Sequence, residues 1–239
     1  MLNVTSMIGG GAGISAVAFP SISGERFRYR ADLGITKDGS NLVSNWADQS
    51  GNGDDIAEAT NKPLYVANLV NGQPAIRFDG SNDVLSNSSV TGFGDTHIYM
   101  VINQVSWTSG RYICRLRKSG DSHSIQQLSS TPRIQHGGDA LDTNECIPPS
   151  LGTFFLLNSR HDGATTSFNQ INNDTAVTGG DPGSVNSGLT LIFLGANHTP
   201  AAFSNIEVAE WVIYADAGTI TGSDDTALKN YFNARYALY

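Results

Sequence analysis

Hydrophobic and polar positions alternate along much of this chain with a period of two. Glu25 to Arg30 (ERFRYR) sets Phe27 and Tyr29 on one face and three arginines on the other, the pattern of a strand buried on one side. Ile98 to Val105 (IYMVINQV) is apolar enough for a core strand. Arg111 to Arg117 (RYICRLR) alternates again, with Arg111, Arg115 and Arg117 expected outward around Ile113. Thr153 to Arg160, Thr165 to Ile171, Leu189 to Gly195 and Ile206 to Tyr214 read as further strands, with weaker ones at Ser124 to Leu128 and Arg133 to His136. Turn chemistry separates them: Ser119-Gly120-Asp121, an Asp162-Gly163 hairpin signal, and the polar loop from Gly179 to Gly188.

One stretch breaks the period of two. Thr221 or Ser223 can cap a helix, Asp224 and Asp225 fall in its first turn where the helix dipole favours them, and Leu228, Tyr231, Phe232 and Arg235 recur at helical spacing. This helix is expected to lay its aromatic stripe on a sheet. At the other end, residues 1 to 20 carry no charge, are rich in glycine and small apolar residues, and stop at Pro20. Two readings stay open for them: a frayed terminus, or an arm that orders on a partner. The predicted organisation is an arm over 1–23 and one domain over 24–239.

Between these ends, Trp46 to Gly80 stands out. Trp46 is followed by Asp48, Ser50, Gly51, Asn52, Gly53, Asp54 and Asp55, residues that favour tight turns, and then by two short apolar runs around an Asn71-Gly72 turn. Trp46, Asp48-Gln49-Ser50-Gly51-Asn52-Gly53, Pro63, Asn71-Gly72, Pro74-Ala75 and Arg77-Phe78-Asp79-Gly80 resemble the opening of laminin-G-like, concanavalin-A-like jelly-roll domains. Ile206 to Tyr214, with the terminal helix ending Tyr231-Phe232-Asn233-Ala234-Arg235-Tyr236, resembles their last core strand and closing helix. The resemblance spans roughly residues 30 to 239. It implies an all-β fold: an antiparallel jelly-roll β-sandwich with a short C-terminal helix and an N-terminal arm.

Composition agrees. With 26 glycines and only 15% charged residues, the chain suits many short strands and turns rather than a helical bundle. The net charge of −8 argues against nucleic acid as a partner. No run approaches the apolar length of a membrane span. Ser15-Ala16-Val17-Ala18 imitates a signal cleavage site, but the first basic residue is Arg26, so no signal peptide is expected. The two cysteines, Cys114 and Cys146, make no disulfide framework, and Cys114 is expected as a small buried hydrophobe.

Candidate chemistry is sparse. Asp48 to Gly53 begins like a calcium loop, but the twelfth position is Ala59 where a bidentate glutamate is needed, and Glu58 falls one residue early. Because laminin-G-like relatives can hold calcium at the sandwich rim, Asp48, Asp54, Asp79 and Asp83 remain weak metal candidates, and no other cofactor is expected. A glycosidase needs two carboxylates across one cleft. The nearest pair, Glu207 and Glu210, lies three residues apart, which on a regular strand sends the two side chains to opposite faces. The resemblance gives Glu210 a structural role. The histidines show no HExxH spacing, there is no nucleophile elbow, and Gly9-Gly10-Gly11-Ala12-Gly13 lacks a phosphate-binding lysine. What remains is binding chemistry. Arg26, Arg28, Arg30, Arg111, Arg115 and Arg117 suit an anionic glycan or acidic partner, with a solvated sheet face as the plainer reading. Trp107, in a polar turn, could stack on a sugar.

The resemblance therefore implies a non-enzymatic structural or adhesion module. Short free-standing copies look like phage virion components, a head decoration or a tail fibre or spike, that bind host surface glycan. On that expectation the arm contacts other virion proteins, the assembly is a trimer or other homo-oligomer, and the protein resides in the virion. Two alternatives stand beside it. A cement protein would use only the arm and the arginines, and a polysaccharide-degrading glycoside hydrolase would depend on Glu207 or Glu210; a lectin would instead use Trp107 or the rim loop Asp139 to Asn144.

Overall fold

A computed structural model describes residues 17–118, 121–128, 132–137, 144–162, 166–180, 188–199, 201–215 and 220–239. The strands in chain order are β1 (Glu25–Arg30), β2 (Ile35–Lys37), β3 (Val43–Trp46), β4 (Ile56–Ala57), β5 (Leu64–Val70), β6 (Gln73–Asp79), β7 (Leu85–Asn87) and β8 (Thr96–Gln104). They continue with β9 (Arg111–Lys118), β10 (Asp121–Leu128), β11 (Arg133–Gly137), β12 (Phe154–His161), β13 (Phe168–Ile171), β14 (Val177–Thr178), β15 (Leu191–Leu194) and β16 (Asn205–Ala215), and helix α1 (Gly222–Tyr236) follows. The first sheet has the order β14-β13-β12-β8-β16-β6-β5, with β1 also paired to β16; the second runs β11-β10-β9-β15-β7-β4-β3-β2. All the strand pairs are antiparallel. The all-β sandwich that the resemblance implies is thus the fold.

The inward positions of the two sheets form one core, in which Phe27, Tyr29, Trp46, Phe78, Met100, Ile102, Phe155 and Trp211 are buried. Tyr29 stands between Trp46 and Trp211, with ring centroids 5.9 and 5.6 Å away, and the Trp46 Nε1–H donates to the Arg30 carbonyl at 2.9 Å. That bond ties the loop after β3 to β1. Gly195 lets β15 approach the first sheet: it has φ +87°, and a Cβ there would lie 2.3 Å from Phe78 Cδ1.

A second apolar layer lies outside the first sheet, where Tyr99, Val101, Leu156, Val212 and Tyr214 meet Leu228, Tyr231 and Phe232 of α1. The Thr221 hydroxyl accepts from the Asp224 amide, and the Asp224 carboxylate accepts from Thr221 N–H, closing a capping box. Of the predicted arm, residues 1–16 lie outside the described residues; Phe19 packs edge-on against Tyr231 at 5.0 Å, and Arg28 sits 4.2 Å over the Phe19 ring. The arm's last residues belong to the helix layer.

Several short strands were not read from the sequence: β2, β3, β4, β7 and β14. Each is only two to four residues long, too short to show a period. Gly163 of the Asp162-Gly163 turn, the core of the Gly179 to Gly188 loop and most of the Asp139 to Asn144 loop fall outside the described residues.

Candidate functional site

The two arginine stripes belong to different sheets. On β1 the guanidinium groups are consumed internally: Arg26 pairs with Asp54 at 2.5 Å, Arg28 with Glu25 at 3.0 Å, and Arg30 with Asp32 at 2.8 Å. On β9 the expected alternation fails at one place. Cys114 faces Ile125 and Tyr112 faces Gln126 across the ladder, so Ile113 is an extra, bulged residue. Arg115 and Arg117 stay on the outer face, whereas Arg111 is turned to the rim of the sandwich. There it lines a recess of about 70 Å³ with Asp79, Ser106, Thr108 and Gln127. Trp107 is half-buried beside this rim.

The four weak metal candidates are each engaged by partners within the fold. Asp48 Oδ1 accepts from the Arg28 and Ser50 amides, both at 2.9 Å, and Asp79 Oδ1 accepts from Ser81 N–H at 2.7 Å. Asp54 takes the Arg26 ion pair, and Asp83 Oδ2 accepts from Asp79 N–H at 2.9 Å. Burial pushes the Asp83 carboxyl up to about 6, against the lowering effect of that amide and with a smaller push from the charge of Asp79. Among the described residues no three His, Cys, Asp or Glu side chains are grouped to hold a metal ion.

Glu207 and Glu210 correct the sequence reading directly. Val208 pairs with Ile102 and Glu210 with Val101, so Ala209 is bulged, and both glutamates emerge on the outer face of the first sheet rather than on opposite faces. Neither is free for catalysis. Glu207 Oε1 accepts from Arg77 Nε at 2.7 Å and Oε2 from Asn103 at 2.8 Å. Glu210 is completely buried under α1, accepting from the Tyr231 and Tyr236 hydroxyls at 3.0 and 2.8 Å. Burial raises its carboxyl to about 7, although the Tyr236 hydroxyl, Arg30 and Arg235 all pull it down. It joins helix to sheet.

A more open arrangement lies at the edge where the two sheets end, between β11 and β13–β14. Ile134 and Cys146 exchange backbone hydrogen bonds, an isolated bridge that brings Cys146 beside β11. The resulting groove, about 250 Å³, is lined by Arg133, Glu145, Cys146, Ile147, Asp174 and Val177. It continues past Arg133 and Ile147 into a hollow of about 390 Å³ bounded by Pro132, Pro148, Pro149 and Leu151. Arg133 Nε stands 3.4 Å from Glu145 Oε2, while Asp174 is exposed and its charge reaches Cys146 at the groove floor. Glu145 and Asp174 are 29 residues apart and sit on no shared motif. Only the pairing of the Cys146 segment with β11 brings them to one groove.

A further cluster had no sequence signal. His123, His136 and His161 come from three strands of the two sheets and meet inside the sandwich, with ring centroids 3.6 Å apart for His123 and His161 and 4.7 Å for His136 and His161. Burial first, and then the neighbouring imidazoles, hold His123 and His136 well below the ordinary histidine range.

No protein-family profile and no curated protein matches the chain. Solved structures do share the fold. An arabinofuranosidase complexed with arabinofuranosyl-alpha-1,2-xylobiose matches with a TM-score of 0.62 at 15% identity, over 91% of this chain and 60% of the other. A Trypanosoma rangeli sialidase in complex with sialic acid matches with a TM-score of 0.53 at 11% identity, over 93% and 36%. Domain 4 of AbnA, a GH43 extracellular arabinanase from Geobacillus stearothermophilus, in complex with arabinotriose, matches with a TM-score of 0.51 at 18% identity, over 86% and 98%. The chain spans between 52% and 61% of the arabinofuranosidase chains. The fold is therefore a β-sandwich of the type found in carbohydrate-binding and glycosidase proteins. These matches overturn the expectation of a non-enzymatic virion module: they are dominated by glycosidase chains, and nothing in them points to a phage particle.

Proposed function

We propose that this chain is a carbohydrate-active domain of the glycoside-hydrolase type, acting on a polysaccharide at the groove between β11 and β13–β14. The observation that carries the reading is the groove itself. Two carboxylates, Glu145 and Asp174, line it; an arginine holds one of them, and an apolar hollow extends it by a volume suited to further sugar rings. Glycosidic cleavage needs two such groups, one to protonate the leaving oxygen and one to act as nucleophile or to activate water. Proline and aliphatic side chains at Pro148, Pro149, Ile147 and Leu151 offer apolar surface for the faces of a sugar chain. The laminin-G-like resemblance of Trp46 to Gly80 and of Ile206 to Tyr236 is compatible with the same β-sandwich scaffold.

The roles follow from the surroundings. Glu145, held by the Arg133 guanidinium, is placed to act as the nucleophile or to activate water. Asp174, exposed and without an ion pair or side-chain hydrogen bond to another described residue, is the second carboxylate of the groove.

Release of reducing sugar from a panel of plant and microbial polysaccharides tests the proposal. Glu145→Gln and Asp174→Asn are each expected to lower the rate by at least about 100-fold, the usual loss when a catalytic acid or base is removed, with unchanged thermal unfolding. Full activity in both variants would refute this site. The configuration of the released sugar then reports whether the second carboxylate attacks directly or through water.

A further inference from the structure

The chain has ten arginines, and seven of them face a carboxylate: Arg26, Arg28, Arg30, Arg77, Arg133, Arg160 and Arg235. The other three are Arg111, Arg115 and Arg117 of β9, which pair with no carboxylate among the described residues. In a protein with 22 acidic residues and a net charge of −8, three neighbouring arginines without a counter-ion among the described residues are an exception. The bulge at Ile113 separates Arg111 from the other two, so the outer face of the second sheet presents Arg115 and Arg117 together.

The Arg115 guanidinium is held in place by its neighbours. Arg115 donates from Nη1 to Asn197 Oδ1 at 2.5 Å and from Nη2 to Ser122 Oγ at 3.0 Å, and it lies 5.2 Å from the Tyr112 ring centroid. Asn197 Oδ1 also meets the His198 amide and Nδ1, each at 2.7 Å, which fixes the imidazole beside the guanidinium groups. After burial, the charges of Arg117 and Arg115 are what lower the His198 pKa. Among the described residues the partners of Arg115 are neutral, so they orient the group without cancelling its charge. A fixed guanidinium such as that of Arg115 is a fork for carboxylate or sulfate oxygens.

We infer that Arg115 and Arg117, with His198 at their side, form a binding site for the anionic substituent of an acidic saccharide, a uronate carboxylate or a sulfate ester. The inference rests on the carbohydrate reading above and names the class of sugar. It does not depend on cleavage at Glu145 and Asp174.

Binding is measured calorimetrically with the full chain carrying Glu145→Gln, so that hydrolysis and binding are read separately. The probes are an oligogalacturonate, its methyl ester, and a sulfated oligosaccharide with its desulfated form. The expected result is that one acid form binds, its neutral counterpart does not, and Arg117→Gln weakens binding about tenfold or more. A preference for the uronate or for the sulfate decides between the two substituents. Arg115→Gln should act similarly, but because Arg115 also holds Asn197, the decisive variant is Arg117→Gln. Equal binding of charged and neutral forms, no binding of either acid form, or unchanged affinity in Arg117→Gln would overturn the inference. Acid-sugar binding that survives while wild-type protein releases no sugar would leave this site standing and remove only the hydrolase reading.

Discussion

Replacing Glu210 with glutamine isolates the cost of keeping one carboxyl under the C-terminal helix. In the folded protein this carboxyl titrates at about 7, against an ordinary 4.5, because burial outweighs the Tyr236 and Tyr231 hydroxyls and the charges of Arg30 and Arg235. A carboxyl with a raised folded pKa binds its proton more tightly in the native state. Its stabilising contribution is therefore complete below pH 4.5 and is lost as pH rises through 7. The rise from 4.5 to about 7 corresponds to about 3 kcal/mol of differential stability. Glutamine cannot ionise, so Glu210→Gln should behave as the protonated form at every pH. Urea unfolding of both proteins between pH 4 and 8.5 measures the difference, and the histidines common to both cancel to first order. Relative to wild type, the variant should gain about 3 kcal/mol between pH 4.5 and 8. Whatever fixed offset arises from rearranged hydrogen bonds to Tyr231 and Tyr236 does not affect this change. A stability difference constant to about 0.5 kcal/mol across the range would show that Glu210 titrates normally, and the account of the helix–sheet junction would fail.

Two further predictions follow. His97, lowered to about 4 by burial, and His123 and His136, lowered by burial and by neighbouring imidazoles, stay neutral in the fold but protonate in the unfolded chain. Each should remove about 1.4 kcal/mol of stability per pH unit as pH falls below 6.5, for His97 down to about 4. Protonation of Glu210 and Asp83 works in the opposite direction over part of this window, so the acid limb of the unfolding curve should steepen in Glu210→Gln; a limb of unchanged slope would contradict the assignment. Gly195→Ala places a methyl 2.3 Å from Phe78 Cδ1 at a φ of +87°, and should cost at least about 2 kcal/mol by chemical denaturation; wild-type stability would refute the close approach of β15 to the first sheet.

Period and capping were legible from single residues. The strands at Glu25–Arg30, Arg111–Lys118 and Asn205–Ala215 were visible because alternation is a local property, and α1 was visible because Thr221 and Asp224 are only three residues apart. The bulges at Ile113 and Ala209 were not, since an extra residue leaves composition and order unchanged and shows itself only against a paired strand. That one residue sends Arg111 away from Arg115 and brings Glu207 and Glu210 to one face. The same limit hid Glu145 and Asp174, and the meeting of His123 and His136 with His161, because each grouping joins residues from separate strands.

The chain by itself determined that it would fold as strands with one closing helix, since burying one face of an alternating segment requires only that its own side chains point alternately in and out. Which carboxylates share a groove, which arginines keep an uncancelled charge and which histidines meet inside the sandwich were decided by the tertiary structure. Those outcomes depend on strand order, register and bulges, and these are fixed by long-range pairing rather than by any neighbourhood in the sequence.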